Sequence, residues 1–177
     1  MVGIRSRRLS LVALLISAIG LVAAAGALGN VKKQAKVTSF HAVFHVKWQG
    51  HPCGAMKPPG TVACDHTAGS GVFGSGVAAK EAYDLFVLAP SKECSQWLFT
   101  SVVTVPHKGT INLAVKTKPC VDPTSLNATG SFVIGGGTGY YAGATGKGVW
   151  VGKDGKVTGK DKGTATDVFT GSISLAD

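Results

Sequence analysis

The sequence predicts an all-β protein, a single antiparallel barrel of about eight strands, with a two-sheet β-sandwich as the alternative. Apolar and polar residues alternate with a period of two in several segments, as in Val37–Trp48. Turn-forming glycine, proline and asparagine separate these segments, and no amphipathic helical pattern follows the N-terminal segment. Antiparallel strands in this number can close on themselves, and closure removes edges that would otherwise pair with other chains.

The predicted strands are the segments that alternate or that are rich in β-branched and aromatic residues. A short piece at Val157–Lys160 is either a further strand or the beginning of the last one. Before it, Asp154-Gly155 favours a two-residue type I′ hairpin turn. The strands are expected at Val37–Trp48, Gly71–Val77, Lys80–Leu88, Trp97–Val105, Thr110–Thr117, Thr129–Ile134, Lys147–Val151 and Thr164–Leu175.

The first 29 residues have the features of a signal peptide, which leaves residues 30–177 as one barrel domain. Three arginines precede the apolar run Leu11–Val22, and the small residues Ala23-Ala24-Ala25 follow it, so we expect cleavage near Ala25. The protein is therefore expected to be secreted. An uncleaved membrane anchor is the alternative, because the apolar stretch approaches the roughly 20 residues that span a bilayer.

Four cysteines remain after such a cleavage, and an even number in an exported chain indicates disulfide bonds. Three pairings are open for Cys53, Cys64, Cys94 and Cys120. Cys53–Cys64 and Cys94–Cys120 are favoured because each bond closes a local loop between predicted strands. The cysteine and histidine spacings match no zinc motif, so we expect no metal site.

The formal net charge of the chain is +9, and all of its arginines lie in the N-terminal segment. The remaining cations are scattered lysines, which lack the planar fork that binds phosphates and guanines in a bidentate manner. We therefore expect no nucleic-acid partner. Weak contact with an anionic surface of the cell envelope is the alternative use of this charge.

The segment Gly135–Gly146 reads GGGTGYYAGATG and predicts a tight corner between strands. Part of it fits the dinucleotide pattern G-x-G-x-x-A, but the glycines that follow are incompatible with the helix which that site requires. The segment resembles the GGTGRFAGATG-like signature of the allene oxide cyclase/dirigent-like β-barrel group, and the resemblance covers mainly Thr129–Leu175. Tyr140 and Tyr141 replace the arginine and phenylalanine that are common there.

This resemblance implies a barrel fold and leaves the activity open. Well-known members of the group include a lipid-epoxide cyclase and non-catalytic proteins that orient radical coupling. None of their functional residues can be matched to positions in this chain.

Aromatic side chains are the candidate lining of a ligand cavity. Tyr140 and Tyr141 could contact a ligand at the barrel rim. The other candidates lie in the predicted strands and are Phe40, Phe44, Trp48, Tyr83 and Trp97.

The candidate catalytic residues are Glu81 and Asp84, which lie on opposite faces of one predicted strand. Whichever of them points into an apolar barrel would have a raised pKa and could act as a general acid or base. The sequence contains no nucleophile motif, and we expect no cofactor. The first hypothesis is a secreted, non-catalytic barrel that binds a small apolar ligand. The alternatives are a cyclase- or isomerase-like enzyme with a lipophilic substrate and a cell-envelope interaction protein; the oligomeric state stays open.

Overall fold

The computed structural model describes residues 36–91, 93–118, 120–121 and 127–176. These residues form one closed antiparallel barrel, which confirms the predicted fold class and excludes the sandwich. The signal peptide predicted for residues 1–29 lies outside the described residues. The strands are β1 (Val37–Gly50), β2 (Thr61–Phe73), β3 (Val77–Ser91), β4 (Cys94–Val105), β5 (Gly109–Thr117), β6 (Asn127–Gly137), β7 (Thr145–Gly159) and β8 (Lys162–Ser174).

Each strand pairs with its neighbours in sequence, and β1 closes the barrel by pairing with β8 from Val37↔Ser174 to Gln49↔Lys162. The only helical element among the described residues is a single 3₁₀ turn, Gly139–Tyr141, between β6 and β7. No helix in this part of the chain has the length and apolar character needed to cross a bilayer.

Side chains that alternate with a period of two in the sequence point alternately into the barrel and out to its surface. In β1, Phe40, Phe44 and Val46 point inward and are almost fully buried, whereas His41 and His45 are exposed on the outer face. The inward rings pack edge to face or tilted. Their centroids are 5.3 Å apart for Phe40 and Phe132 and 6.3 Å apart for Phe44 and Phe169. Large apolar side chains therefore fill the middle of the barrel.

The two ends of the barrel differ. At one end, which we call the disulfide end, both disulfide bonds are found, and they are the favoured pairs Cys53–Cys64 and Cys94–Cys120. At the other, the glycine end, the segment after β6 turns the corner to β7, as predicted. Tyr141 in that corner is buried and packs edge-on against Phe73, with centroids 6.0 Å apart. The corner therefore closes the glycine end.

The strand predicted at Gly71–Val77 is wrong. The structure places a turn at residues 74–76, with β2 ending at Phe73 and β3 beginning at Val77. Most of β2 was not predicted, because small and polar residues dominate it. Two of these are required by the fold, since a Cβ on Gly69 or Gly71 would collide with backbone carbonyl groups of β1.

The hairpin turn predicted at Asp154-Gly155 is also wrong. β7 continues to Gly159 through two register shifts against β8, and Val157–Gly159 belongs to it. The turn lies at residues 160–161, where Asp161 has a φ of 55°. The N–H of Gly50 donates a hydrogen bond of 2.7 Å to the carbonyl oxygen of Asp161. This contact with β1 is made at the turn itself, which follows directly after the bulged part of β7.

Candidate functional site

A pocket opens in the barrel interior at the disulfide end, with a cavity volume of about 140 Å³. The chain has three tryptophans, and all of them line the pocket. The lining residues come from six strands and are Trp48, Asp65, Thr67, Tyr83, Leu85, Val87, Trp97, Phe99, Trp150, Gly152, Ala165 and Asp167.

Aromatic rings form most of the pocket wall and support one another. Tyr83 stacks on Phe99 at 4.2 Å between centroids, and Phe99 meets the ring of Trp150 edge-on at 5.1 Å. Trp97 packs at a tilt against Trp150 at 6.3 Å. Such contacts hold the rings in place, so the aromatic wall is formed before any ligand enters.

Asp167 is the polar centre of the pocket. It is 1% exposed, and both of its carboxylate oxygens accept hydrogen bonds from the aromatic wall. The hydroxyl of Tyr83 donates to Oδ2 at 2.8 Å, and the indole N–H of Trp150 donates to Oδ1 at 3.0 Å. Burial raises the pKa of Tyr83 well above its usual value, and the nearby Asp167 and Glu81 raise it further. Tyr83 therefore stays protonated and remains a donor.

Glu81 lies on the same face of β3 as Tyr83, two residues closer to the glycine end, and is 1% exposed. Ser101 donates a hydrogen bond of 2.6 Å to its Oε1, whereas its Oε2 has no hydrogen-bond partner among the described residues. Burial raises the pKa of Glu81 well above its usual value, with the charge of Asp167 as the second cause. Glu81 is therefore a neutral carboxylic acid over a pH range in which an exposed glutamate is ionised.

The mouth of the pocket carries a second polar group. Asp65 lines the pocket and also a neighbouring surface groove, which it shares with Trp48 and Asp161. Burial raises the pKa of Asp65; His51 lowers it and Asp161 raises it by smaller amounts. The indole nitrogen of Trp48 is buried and has no hydrogen-bond acceptor among the described residues. The mouth thus offers carboxylates to a ligand.

The structure brings three of the predicted ligand-binding residues together, because Trp48, Tyr83 and Trp97 all line this pocket. Phe40 and Phe44 instead pack in the core, next to Phe73 and Phe169.

Tyr140 and Tyr141 lie at the glycine end, and Tyr140 is 62% exposed there. Of the two carboxylates predicted as catalytic candidates, Glu81 points inward. Asp84 lies on the outer face, 2.8 Å from Nδ1 of His66.

Asp65, Trp150 and Asp167 are among the pocket residues that were missed from the sequence. Asp167 could have been found from the sequence, because it lies on the same face of its strand as Phe169 and Ile173. An acidic residue on an otherwise apolar strand face is expected to point into the barrel. Asp65 had no such signal, since β2 itself was not recognised. No group of three or more potential metal ligands comes together among the residues that the structure describes.

The fold and the pocket define a small, disulfide-linked, up-and-down β-barrel with an aromatic pocket at one end. No protein-family model matches the chain. No curated protein matches it either. Among solved structures, it is similar to a pterocarpan synthase dirigent protein, at 12% sequence identity and a TM-score of 0.49. The match covers 82% of this chain and 89% of that one, and it is a likeness of fold alone.

Proposed function

We propose that this protein is an exported, non-catalytic binding protein that holds a small, mainly apolar ligand in the aromatic pocket. The observation that carries the proposal is the preformed aromatic wall around a cavity of about 140 Å³. An engineered cavity of about 150 Å³ in another protein is large enough to bind benzene. The pocket therefore suits one aromatic ring, with any longer part of the ligand reaching the mouth.

The polar groups favour binding over catalysis. Tyr83 and Trp150 hold both oxygens of Asp167, which fixes that carboxylate as part of the wall. The two disulfide bonds support export, because such bonds persist in oxidising compartments outside the cytosol.

Benzyl alcohol is a suitable first probe, since its single aromatic ring suits the size of the cavity. Because every tryptophan of the chain lines the pocket, the three indole N–H signals in an NMR titration report on the site directly. We expect all three signals to shift in a saturable manner. Ala165→Phe places a ring in the cavity and should abolish these shifts.

Ala68→Phe is the matched control, because Ala68 is exposed on the outside of β2. It should leave the titration unchanged. Shifts that survive Ala165→Phe, or a wild-type protein whose indole signals do not respond, would contradict the proposal.

A cyclase- or isomerase-like enzyme is the second candidate, and one observation favours it. Glu81 is a buried acid with a raised pKa that lies closer to the glycine end than the pocket. It interacts electrostatically with Asp167 and with Tyr83. Such an acid could exchange a proton with a lipophilic substrate. Glu81→Gln should abolish turnover of any substrate that is found, and unchanged turnover would remove this candidate.

A further inference from the structure

We propose that the pocket selects a ligand that joins an aromatic ring to a positively charged nitrogen. Aromatic alkylamines are the simplest members of this class. The inference rests on the proposed binding function and specifies its ligand class. It follows from the charges at the pocket and the faces of its rings.

The charges that line the pocket have one sign. Asp167 lies at its inner side and Asp65 at its mouth, and no lysine, arginine or histidine is found among the described residues that line the pocket itself. His51 lines the groove at the mouth together with Asp65 and Asp161. The described lysines are exposed on the outer surface and in the turns. The pocket is therefore a local negative site in a chain whose formal net charge is +9. Long-range attraction would bring anions to this protein, so cation selection has to arise from the pocket itself.

Two carboxylates flank the exit from the pocket at the end of β1. A Cβ built on Gly50 would lie 3.0 Å from the Cβ of Asp161 and 3.4 Å from Oδ1 of Asp65. The hydrogen bond from Gly50 to Asp161 keeps this arrangement in place. The charge of Asp161 raises the pKa of Asp65, so the two carboxylates repel each other, and a cation beside them would relieve that repulsion. An ammonium group at the mouth therefore gains more than a neutral group of the same shape.

The rings of the pocket wall add a second attraction for a cation. Tryptophan has the strongest cation–π interaction of the aromatic side chains, and the interaction strengthens as the cation is desolvated. Trp48 lines both the pocket and the groove at its mouth, the same places that Asp65 lines. A cationic group beside Asp65 is therefore also close to an indole ring.

Three probes of matched shape test the inference in the full protein at pH 7. They are 2-amino-1-phenylethanol, which is a cation, 1-phenyl-1,2-ethanediol, which is neutral, and mandelate, which is an anion. All three keep the ring and the benzylic hydroxyl. We expect the cation to bind about tenfold more tightly than the diol, from the combined charge and cation–π terms, and mandelate to bind most weakly. The indole N–H signals and calorimetry give the affinities.

Variants at the mouth then assign the preference to its residues. Asp65→Asn and Asp161→Asn should each reduce the ratio of cation to diol affinity to about a third or less. Asp84→Asn is the matched control, because that carboxylate lies on the outer face of the barrel. It should leave the ratio unchanged.

The outcomes separate this inference from the function on which it rests. Equal affinity for the cation and the diol, or an equal loss of preference in Asp84→Asn, would overturn the ligand class and leave the binding function standing. Failure of all three probes to shift the indole signals would overturn both.

Discussion

Glu81 is a single buried side chain that should make the stability of the barrel depend on pH. Its carboxyl group is buried next to Asp167, and the folded state therefore favours its protonated form. In the unfolded chain Glu81 ionises near its ordinary pKa of 4.5. The stabilising contribution of this proton is complete below pH 4.5 and is lost as the pH rises toward the raised pKa of the folded state.

Glu81→Gln removes this titration and leaves an acceptor oxygen for Ser101. We expect the variant to gain stability relative to the wild type as the pH rises above 4.5, by up to about 1.4 kcal/mol per pH unit, until the folded-state pKa is passed. Urea unfolding of the variant and the wild type at several pH values between about 4 and 9 measures the difference in stability.

Asp84→Asn serves as the control for this series, since its side chain is 58% exposed on the same strand. It should show no such growing difference. A stability difference between Glu81→Gln and the wild type that stays constant between about pH 5 and 8 would mean that Glu81 is already ionised in the fold.

At the scale of single elements, the glycine corner shows which glycines the fold requires. A Cβ on Gly137, the last residue of β6, would collide with the carbonyl oxygen of Thr110 in the neighbouring strand. A Cβ on Gly135, two residues earlier, would meet nothing within 4 Å, and its φ lies outside the left-handed region.

Gly137→Ala should therefore destabilise the protein by about 1–3 kcal/mol, the usual range for overpacking substitutions, because the backbone of β5 has to move. Gly135→Ala should be neutral or slightly stabilising, since alanine loses less entropy on folding. Chemical denaturation of both variants gives the comparison. Equal losses in the two variants would mean that close approach to Thr110 is not the reason for the glycine.

The strands that could be predicted are those in which apolar and polar side chains alternate, because the alternation indicates the buried face. β1 alternates large apolar residues with histidine and lysine, so its burial pattern could be read directly from the sequence. β2 packs so closely against β1 that it carries glycine at Gly69 and Gly71, and these residues leave no alternation to detect. In β7, the local preference of Asp154-Gly155 for a turn is overridden because pairing with β8 continues across the bulges.

At the scale of the whole molecule, closure decides which part of the site the sequence could predict. Trp48, Tyr83 and Trp97 were candidates for a cavity lining because each is an aromatic residue in a predicted strand. Their meeting with Asp65 and Asp167 depends on the register of β2 and β8 around the closed barrel. That register is a property of the whole ring of strands, and no single segment of sequence contains it.

The two disulfide bonds lie at the open end of this barrel, and their loop lengths lead to a prediction for the whole fold. The cysteines are 11 residues apart in Cys53–Cys64 and 26 apart in Cys94–Cys120. Each bond restricts the unfolded chain and should contribute about 3 kcal/mol to the free energy of unfolding, with about 0.8 kcal/mol more from the longer loop. The paired variants Cys53→Ala/Cys64→Ala and Cys94→Ala/Cys120→Ala separate the two contributions in urea unfolding.

The same variants show whether the bonds also shape the pocket. Cys64 is buried in β2 one residue before Asp65, whereas Cys94 and Cys120 are absent from the described lining of both the pocket and its mouth. We therefore expect the loss of Cys53–Cys64 to weaken binding of benzyl alcohol more than the loss of Cys94–Cys120, even though it costs less stability. If the variant that loses more stability also bound benzyl alcohol more weakly, the disulfide bonds would affect the pocket only through the stability of the whole fold.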